Sequence, residues 1–172
     1  GVLVYRRTAS LVLLEAIRQL LGPVRVSIGE AIGNGYFYLV HTVSHLRASQ
    51  VMQVERRMHE LVAQDLPLST ETVMVAEARQ RFAAAGAHDK VLLLKTWWES
   101  HVTLVRCGDV VDIHHYPVAP STGYLKTFSL EYDPPGLILR FPSRWQPQMM
   151  LPFVESPKLE QTYQESREWL AI

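Results

Sequence analysis

The chain has 172 residues, 48% of them apolar, which is enough for one domain with a sizeable hydrophobic core. Lys and Arg together number 17, as do Asp and Glu, and this balance argues against a strongly basic nucleic-acid surface. Cys107 is the one cysteine, so no disulfide can form within the chain, as is typical of a reducing compartment. The sequence shows no signal peptide and no run of about 20 apolar residues, so we expect a cytoplasmic protein without membrane contact.

Hydrophobic periodicity and turn residues predict helices and strands in an irregular order. In chain order the predicted elements are a helix over 11–21 capped by Thr8 or Ser10, a strand over 24–28, an Asn34-Gly35 hairpin turn, a strand over 36–43, a helix over 48–64, a strand over 66–74, helices over 75–85 and 89–98, and strands over 102–108, 110–116, 124–132 and 136–142. Because no regular strand–helix–strand repeat occurs, we predict an α+β domain over 1–142. We expect two layers, with helices packed on a largely antiparallel sheet. Residues 143–172 predict a proline-rich wrap and a terminal helix.

Four long blocks of this sequence carry a family resemblance. They span residues 11–40, 54–86, 87–94 and 110–130, and the last reads VVDIHHYPVAPSTGYLKTFSL. In this order they resemble the editing domains of threonyl- and alanyl-tRNA synthetases. The resemblance therefore implies the fold of that editing domain.

The same resemblance implies a degenerate site. In the family, a D-x-C-x-x-x-H segment faces an H-x-x-x-H pair on an N-terminal helix, and these four Cys and His side chains form a metal-competent pocket that activates water. The matching positions here are Arg7, Leu11, His114 and Val118. Arginine, leucine and valine do not bind zinc, and one histidine cannot hold it alone. We therefore expect no catalytic residue, no metal and no cofactor in this segment.

Two further positions, Lys90 and Asp112, match the part of the family pocket that binds the amino-acid substrate. Tyr36 and Tyr38 lie two apart on a predicted strand and therefore share a face. We predict a ligand-binding cleft formed by Arg7, Tyr36, Tyr38, Lys90, Asp112 and His114. Its excess of positive charge favours an anionic or zwitterionic small molecule. The alternative is a structural ion pair left in a relic cleft.

The second half of the chain also resembles the N-terminal region of bacterial uridine kinase-like proteins of the phosphoribulokinase/uridine kinase family. The resemblance is carried by residues 120–143, PSTGYLKTFSLEYDPPGLILRFPS, and by residues 151–170. It implies a fused P-loop kinase domain as partner, to which ATP and Mg²⁺ would belong. No GxxxxGK[ST] motif occurs here, so we expect an isolated N-terminal region that ends where the kinase begins.

These observations favour a non-catalytic or ligand-sensing module. Whether the segment has enzymatic activity of its own stays open at this point. One alternative is a trans-acting aminoacyl-tRNA hydrolase with an altered site, which the lost ligand positions disfavour. Another is an RNA- or tRNA-binding module, which the neutral charge disfavours. Cys107 is a poor candidate nucleophile because no base is matched to it in the sequence.

Overall fold

The computed structural model describes residues 2–141, which contain four α-helices, seven strands and one 3-10 turn. In chain order they are α1 (Val2–Leu21), β1 (Arg25–Ile32), β2 (Gly35–His41), α2 (Ala48–Ala63), β3 (Ser69–Met74), α3 (Val75–Ala84), α4 (His88–Lys95), β4 (His101–Cys107), β5 (Val110–Ile113), the 3-10 turn (Thr122–Tyr124), β6 (Ser129–Asp133) and β7 (Gly136–Arg140). The strands form two antiparallel sheets, of order β1-β2-β7-β6 and β3-β4-β5. The predicted α+β class is thereby confirmed.

The main hydrophobic core joins α1 and α2 to the inner face of the four-stranded sheet and to β4. It includes Leu13 and Ile17 of α1, Met58 and Leu61 of α2, and Leu139 of β7, all almost fully buried. A second cluster lies between the three-stranded sheet and helices α3 and α4. Removal of these apolar side chains from water supplies most of the free energy that favours this arrangement.

Helix α1 begins six residues before the predicted cap. Thr8 lies inside the helix, where its hydroxyl donates to the carbonyl oxygen of Val4 at 2.7 Å and accepts the backbone N–H of Ala119 at 2.9 Å. The predicted N-cap at Thr8 or Ser10 is therefore wrong, because the helix already begins at Val2 and contains both residues. The Thr8 hydroxyl instead holds the loop before the 3-10 turn. This bond sets where that loop crosses α1.

The first hairpin turn and the start of β6 also differ from their predicted positions. The first hairpin turns at Gly33-Asn34, one residue earlier than predicted, with Gly33 at φ 58° and Gly35 already paired with Ile32. The predicted strand over 124–132 begins only at Ser129. Before it, the Thr122 hydroxyl donates to the Leu61 carbonyl at 2.6 Å and holds the 3-10 turn against α2.

A buried carboxylate connects α1 to the turn between β4 and β5. Glu15 is 1% exposed and accepts hydrogen bonds from Arg18 at 2.7 and 3.0 Å and from Gln19 at 3.0 Å. The backbone N–H of Asp109, in that turn, donates to the same carboxylate at 3.3 Å. This network fixes α1 relative to the three-stranded sheet, and so sets the geometry of the space between them.

In the described part of the chain, no helix is long and apolar enough to cross a lipid bilayer. The predicted wrap and terminal helix over 143–172 lie outside the described residues.

Candidate functional site

A small pocket lies between α1 and the end of β5. Its wall combines charged, polar and apolar side chains, which are Arg7, Ser10, Leu11, Val105, Asp112, His114, Tyr116 and Val118. The volume is about 10 Å³, the space that one water molecule needs, and reaches about 250 Å³ when the solvent-open mouth is counted. The interior is therefore too small to enclose a substrate, and a ligand would bind at the mouth.

Helix and strand periodicity bring the pocket residues together. Arg7 and Leu11 are four apart on α1 and therefore lie on one face of the helix. Asp112 and His114 are two apart at the end of β5, so both point to the same side. All four positions that correspond to the family's Cys and His side chains, Arg7, Leu11, His114 and Val118, line the pocket. The structure therefore brings these four positions of the chain together at one place.

The Arg7 guanidinium is poorly satisfied in this setting. Its one hydrogen bond within residues 2–141 runs from Nη2 to the Ile113 carbonyl and is long, at 3.5 Å. Its Cζ lies 5.8 Å from the centroid of the Tyr116 ring. Among the described residues, no carboxylate oxygen lies within 4.0 Å of its nitrogens. Since an arginine presents five N–H donors, most of the donors of Arg7 are available to a ligand.

Asp112 already has partners. Its Oδ1 accepts the backbone N–H of Ile113 at 2.7 Å and lies 3.6 Å from the Lys90 Nζ. Both side chains are 25% exposed, so each retains some contact with water. Lys90 reaches Asp112 from α4 and is not itself part of the pocket wall. The pair therefore carries little net charge, and Arg7 supplies the surplus positive charge at the site.

His114 is the one histidine of the pocket wall. Its backbone N–H donates to the Thr103 carbonyl at 2.8 Å, while its Nδ1 is buried and has no hydrogen-bond partner among the described groups. Residues 2–141 contain no group of three or more Cys, His, Asp or Glu side chains that could hold a metal. Arg7, Leu11 and Val118 supply no ligand, so the residues at this site do not fit a catalytic zinc.

Tyr36 and Tyr38 share one face of β2, as predicted, but that face packs on α1 and is not part of the pocket wall. Tyr38 is 2% exposed, and this burial raises its pKa. The Tyr36 hydroxyl accepts from Arg6, whose Cζ lies 4.6 Å from the ring centroid. The structure therefore groups these two tyrosines with the core, where they support α1.

The sequence prediction missed Tyr116, which is 51% exposed at the pocket mouth. The alternation of Asp112, His114 and Tyr116 along the chain was the available signal. Cys107, in contrast, is fully buried, and burial together with the nearby Glu15 charge raises its pKa to about 12. A thiol with this pKa is not an effective nucleophile near neutral pH.

We expect protein purified without chelator to contain no stoichiometric zinc, because three of the four corresponding positions lack a ligand atom. Elemental analysis is the measurement. As a positive control, a variant with Arg7→His, Leu11→His, His114→Cys and Val118→His should gain about one zinc per chain if these positions converge. Zinc in the wild type that disappears in His114→Ala would contradict the prediction.

No family model matches the chain. Its sequence is similar to threonine–tRNA ligases: 38% identical over 132 residues to that of Syntrophotalea carbinolica, 33% over 131 residues to that of Halorhodospira halophila and 32% over 128 residues to that of Rickettsia akari. These matches cover 76%, 76% and 74% of this chain, but only 21%, 20% and 20% of the ligases. The chain thus spans about a fifth of the length of the curated relatives it matches. It is homologous to one region of threonine–tRNA ligases, and its α+β fold is that expected of an editing-like domain.

Proposed function

We propose that this chain is a non-catalytic, ligand-binding module that has kept the pocket of an editing-like domain and lost the hydrolytic chemistry. The observation that carries the proposal is Arg7, which lines the pocket without any carboxylate partner among the described residues. The cognate ligand is an anionic or zwitterionic small molecule. A planar guanidinium binds a carboxylate or phosphate through two parallel hydrogen bonds.

The net positive charge of the side chains at the site favours an anionic ligand. Arg7 and Lys90 contribute two positive charges and Asp112 one negative charge, which leaves one surplus positive charge near the mouth. The Lys90–Asp112 distance of 3.6 Å also lets Lys90 screen an incoming anion from Asp112. A mouth that is open to solvent allows such a ligand to reach Arg7 without unfolding of the wall.

A thermal-shift screen of amino acids, nucleotides and inorganic phosphate tests the proposal. A ligand at a hundredfold excess over its dissociation constant should stabilise the fold by about 2.7 kcal/mol. Arg7→Ala and Lys90→Ala should each abolish the stabilisation. The matched control is Arg79→Ala, since Arg79 is an exposed arginine of α3 outside the pocket, and this variant should respond like the wild type. Lack of stabilisation by every anion in the panel would overturn the proposal.

A trans-acting aminoacyl-tRNA hydrolase is the second candidate, favoured by the buried and unpartnered Nδ1 of His114. An imidazole in this position can act as a general base, whose contribution is typically about 10² to 10⁴ in rate. The test is deacylation of mischarged tRNA by the wild type and by His114→Ala. Turnover above the buffer rate that depends on His114 would rank this candidate first, and equal rates would exclude it.

We further propose that the module is fused to a P-loop kinase of the uridine kinase-like class. The support is the resemblance of residues 120–143 and 151–170 to such proteins. The threonine–tRNA ligase relatives lend this fusion no support. Sequencing the gene beyond residue 172 tests it: a GxxxxGK[ST] motif after a predicted strand would support the fusion, and a continuous ligase sequence would contradict it.

A further inference from the structure

The four-stranded sheet is apolar on both of its faces. Successive residues of a strand point to opposite faces, and on β2 the side chains of Tyr38 and Val40 belong to the main core on the inner face. Phe37 and Leu39 therefore point to the opposite face, here called the outer face. They are 1% and 7% exposed, so water is excluded from both faces of this strand.

The outer face carries a hydrophobic cluster of its own, here called the outer cluster. Its members are Ile32, Phe37, Leu39 and Ile138. Ile138 of β7 lies directly opposite Phe37 of β2, so the two central strands of the sheet supply the middle of the cluster. On the edge strands, Ser27 of β1 lies opposite Leu39, and Glu131 of β6 lies opposite Ile138. The outer cluster is therefore an apolar patch with polar residues on both sides.

The helices that the structure describes pack elsewhere. Helices α1 and α2 share the main core on the inner face, and α3 and α4 share the second cluster with the three-stranded sheet. The four members of the outer cluster all belong to the four-stranded sheet itself. Side chains on an uncovered sheet face stay in contact with water, and antiparallel sheets carry polar residues on such a face. An exposure of only 1 to 7% for these four side chains therefore indicates a covering layer other than the described helices.

The described part of the chain ends at a corner of this face. The Phe141 N–H donates to the Asn34 carbonyl at 2.9 Å, and the Asn34 side-chain amide donates to the Phe141 carbonyl at 3.1 Å. These two hydrogen bonds hold the end of β7 against the turn between β1 and β2, two residues after Ile32. The sequence that follows Phe141 is therefore tethered beside the outer cluster.

That sequence has the composition of a covering segment. Residues 142–157 read PSRWQPQMMLPFVESP and carry two charged residues, Arg144 and Glu155. Their large apolar residues are Trp145, Met149, Met150, Leu151, Phe153 and Val154. A proline at every fifth position lacks the N–H that a further strand of the sheet needs, so the composition favours packing over a face and disfavours pairing at an edge.

We propose that the outer cluster is the docking surface of residues 142–157 of the same chain. An extended segment of this length reaches up to about 50 Å. The outer face measures roughly 15 by 20 Å, because strands lie about 4.8 Å apart and rise about 3.3 Å per residue. The folded domain accordingly includes this segment, and the outer face is closed to other partners.

Photo-crosslinking in the full 172-residue chain tests the proposal. With p-benzoylphenylalanine in place of Trp145, irradiation followed by peptide mapping should give crosslinks within one chain to β1, β2 or β7. The control carries the same group in place of Trp98, which is 86% exposed between α4 and β4, and should give no crosslinks to these strands. Crosslinks from position 145 to a second copy of the chain, or to the helices, would overturn the proposal.

Thiol labelling measures whether the segment keeps water from the outer cluster. Leu39→Cys places a thiol in the cluster, and the fully buried Cys107 reports on the folded core in the same molecule. In this background, Trp145→Ser combined with Phe153→Ser should raise the maleimide labelling rate at position 39 at least about tenfold. Cys107 should stay unlabelled, which distinguishes local uncovering from unfolding.

The matched control for the labelling experiment combines Met52→Ser with Leu92→Ser. These are exposed apolar residues of α2 and α4, away from the outer face, and their replacement should leave the rate at position 39 unchanged. An unchanged rate after replacement of Trp145 and Phe153 would overturn the proposal. Both experiments are independent of ligand binding at the pocket, so their failure would leave the proposed function intact.

Discussion

Replacement of Gly136 by alanine should lower the free energy of unfolding by at least about 3 kcal/mol. Gly136 begins β7 and pairs with Leu39 of β2, near the centre of the four-stranded sheet. A Cβ atom there would overlap the carbonyl oxygen of Tyr38 and lie 2.9 Å from Cζ of Phe37. The backbone oxygen cannot move away without breaking the β2–β7 pairing. Urea denaturation followed by circular dichroism measures the loss.

Gly22→Ala is the matched control, because it adds the same methyl group where nothing lies within 4 Å. Gly22 has φ 83°, so this variant carries only the cost of a left-handed backbone, about 1 to 2 kcal/mol. Equal losses in the two variants would show that backbone conformation, and not close packing of β2 on β7, decides the effect.

Glu15→Gln should destabilise the protein by about 2 to 3 kcal/mol at pH 7. The carboxylate is buried and accepts hydrogen bonds from Arg18, Gln19 and the Asp109 backbone. A glutamine amide has only one acceptor oxygen, and its NH₂ group would face donors. The loss should separate α1 from the β4–β5 turn, and amide hydrogen exchange in that turn gives a local measure.

The Glu15 carboxylate should also make the free energy of unfolding depend on pH in the acidic range. Burial opposes ionisation of Glu15, but hydrogen bonds from Arg18 and Gln19 and the charge of Arg18 hold its pKa below the ordinary 4.5. Its contribution is therefore full above pH 4.5 and is lost as pH falls through the lower folded pKa. The stability difference between the wild type and Glu15→Gln should shrink below pH 4.5. Glu30→Gln, at an exposed carboxylate of β1, is the control for the loss of one surface charge.

Hydrophobic periodicity and turn residues predicted most helices and strands, because both depend on residues that are close together in the sequence. Helix α2 was predicted over 48–64 and observed as Ala48–Ala63, because a buried apolar stripe and polar neighbours alternate along it. Helix α3 was predicted over 75–85 and observed as Val75–Ala84, and Gly86, with φ 77°, follows it closely as a glycine commonly does at a helix end. The start of α1 was not predictable from such signals. Its Thr8 hydroxyl bonds Ala119, 111 residues away, and that contact exists only in the folded chain.

At the candidate site, too, some residues could be predicted from the sequence, while others depend on contacts that form only in the folded chain. Arg7 and His114 were placed in one pocket by resemblance to a family pattern, and the structure brings them together. Tyr36 and Tyr38 were predicted to share a face that lines the cleft, and they do share a face. That face meets α1 and not the cleft, because alternation alone does not say what a strand face packs against. Tyr116 lies past the end of β5, in a loop whose path depends on the contact between Thr8 and Ala119.

Ligand binding at this pocket can be followed by an NMR titration of the side-chain Nε–Hε resonance of Arg7, assigned by comparison with Arg7→Lys. If the pocket is a binding site that Arg7 governs, this resonance should shift saturably as the most stabilising anion of the thermal-shift screen is added, and the His114 ring resonances should shift with the same dissociation constant. The Arg79 resonance should stay unchanged. If neither Arg7 nor His114 responds to any anion of the thermal-shift screen, the pocket is not a binding site for anions and the cleft has a structural role alone.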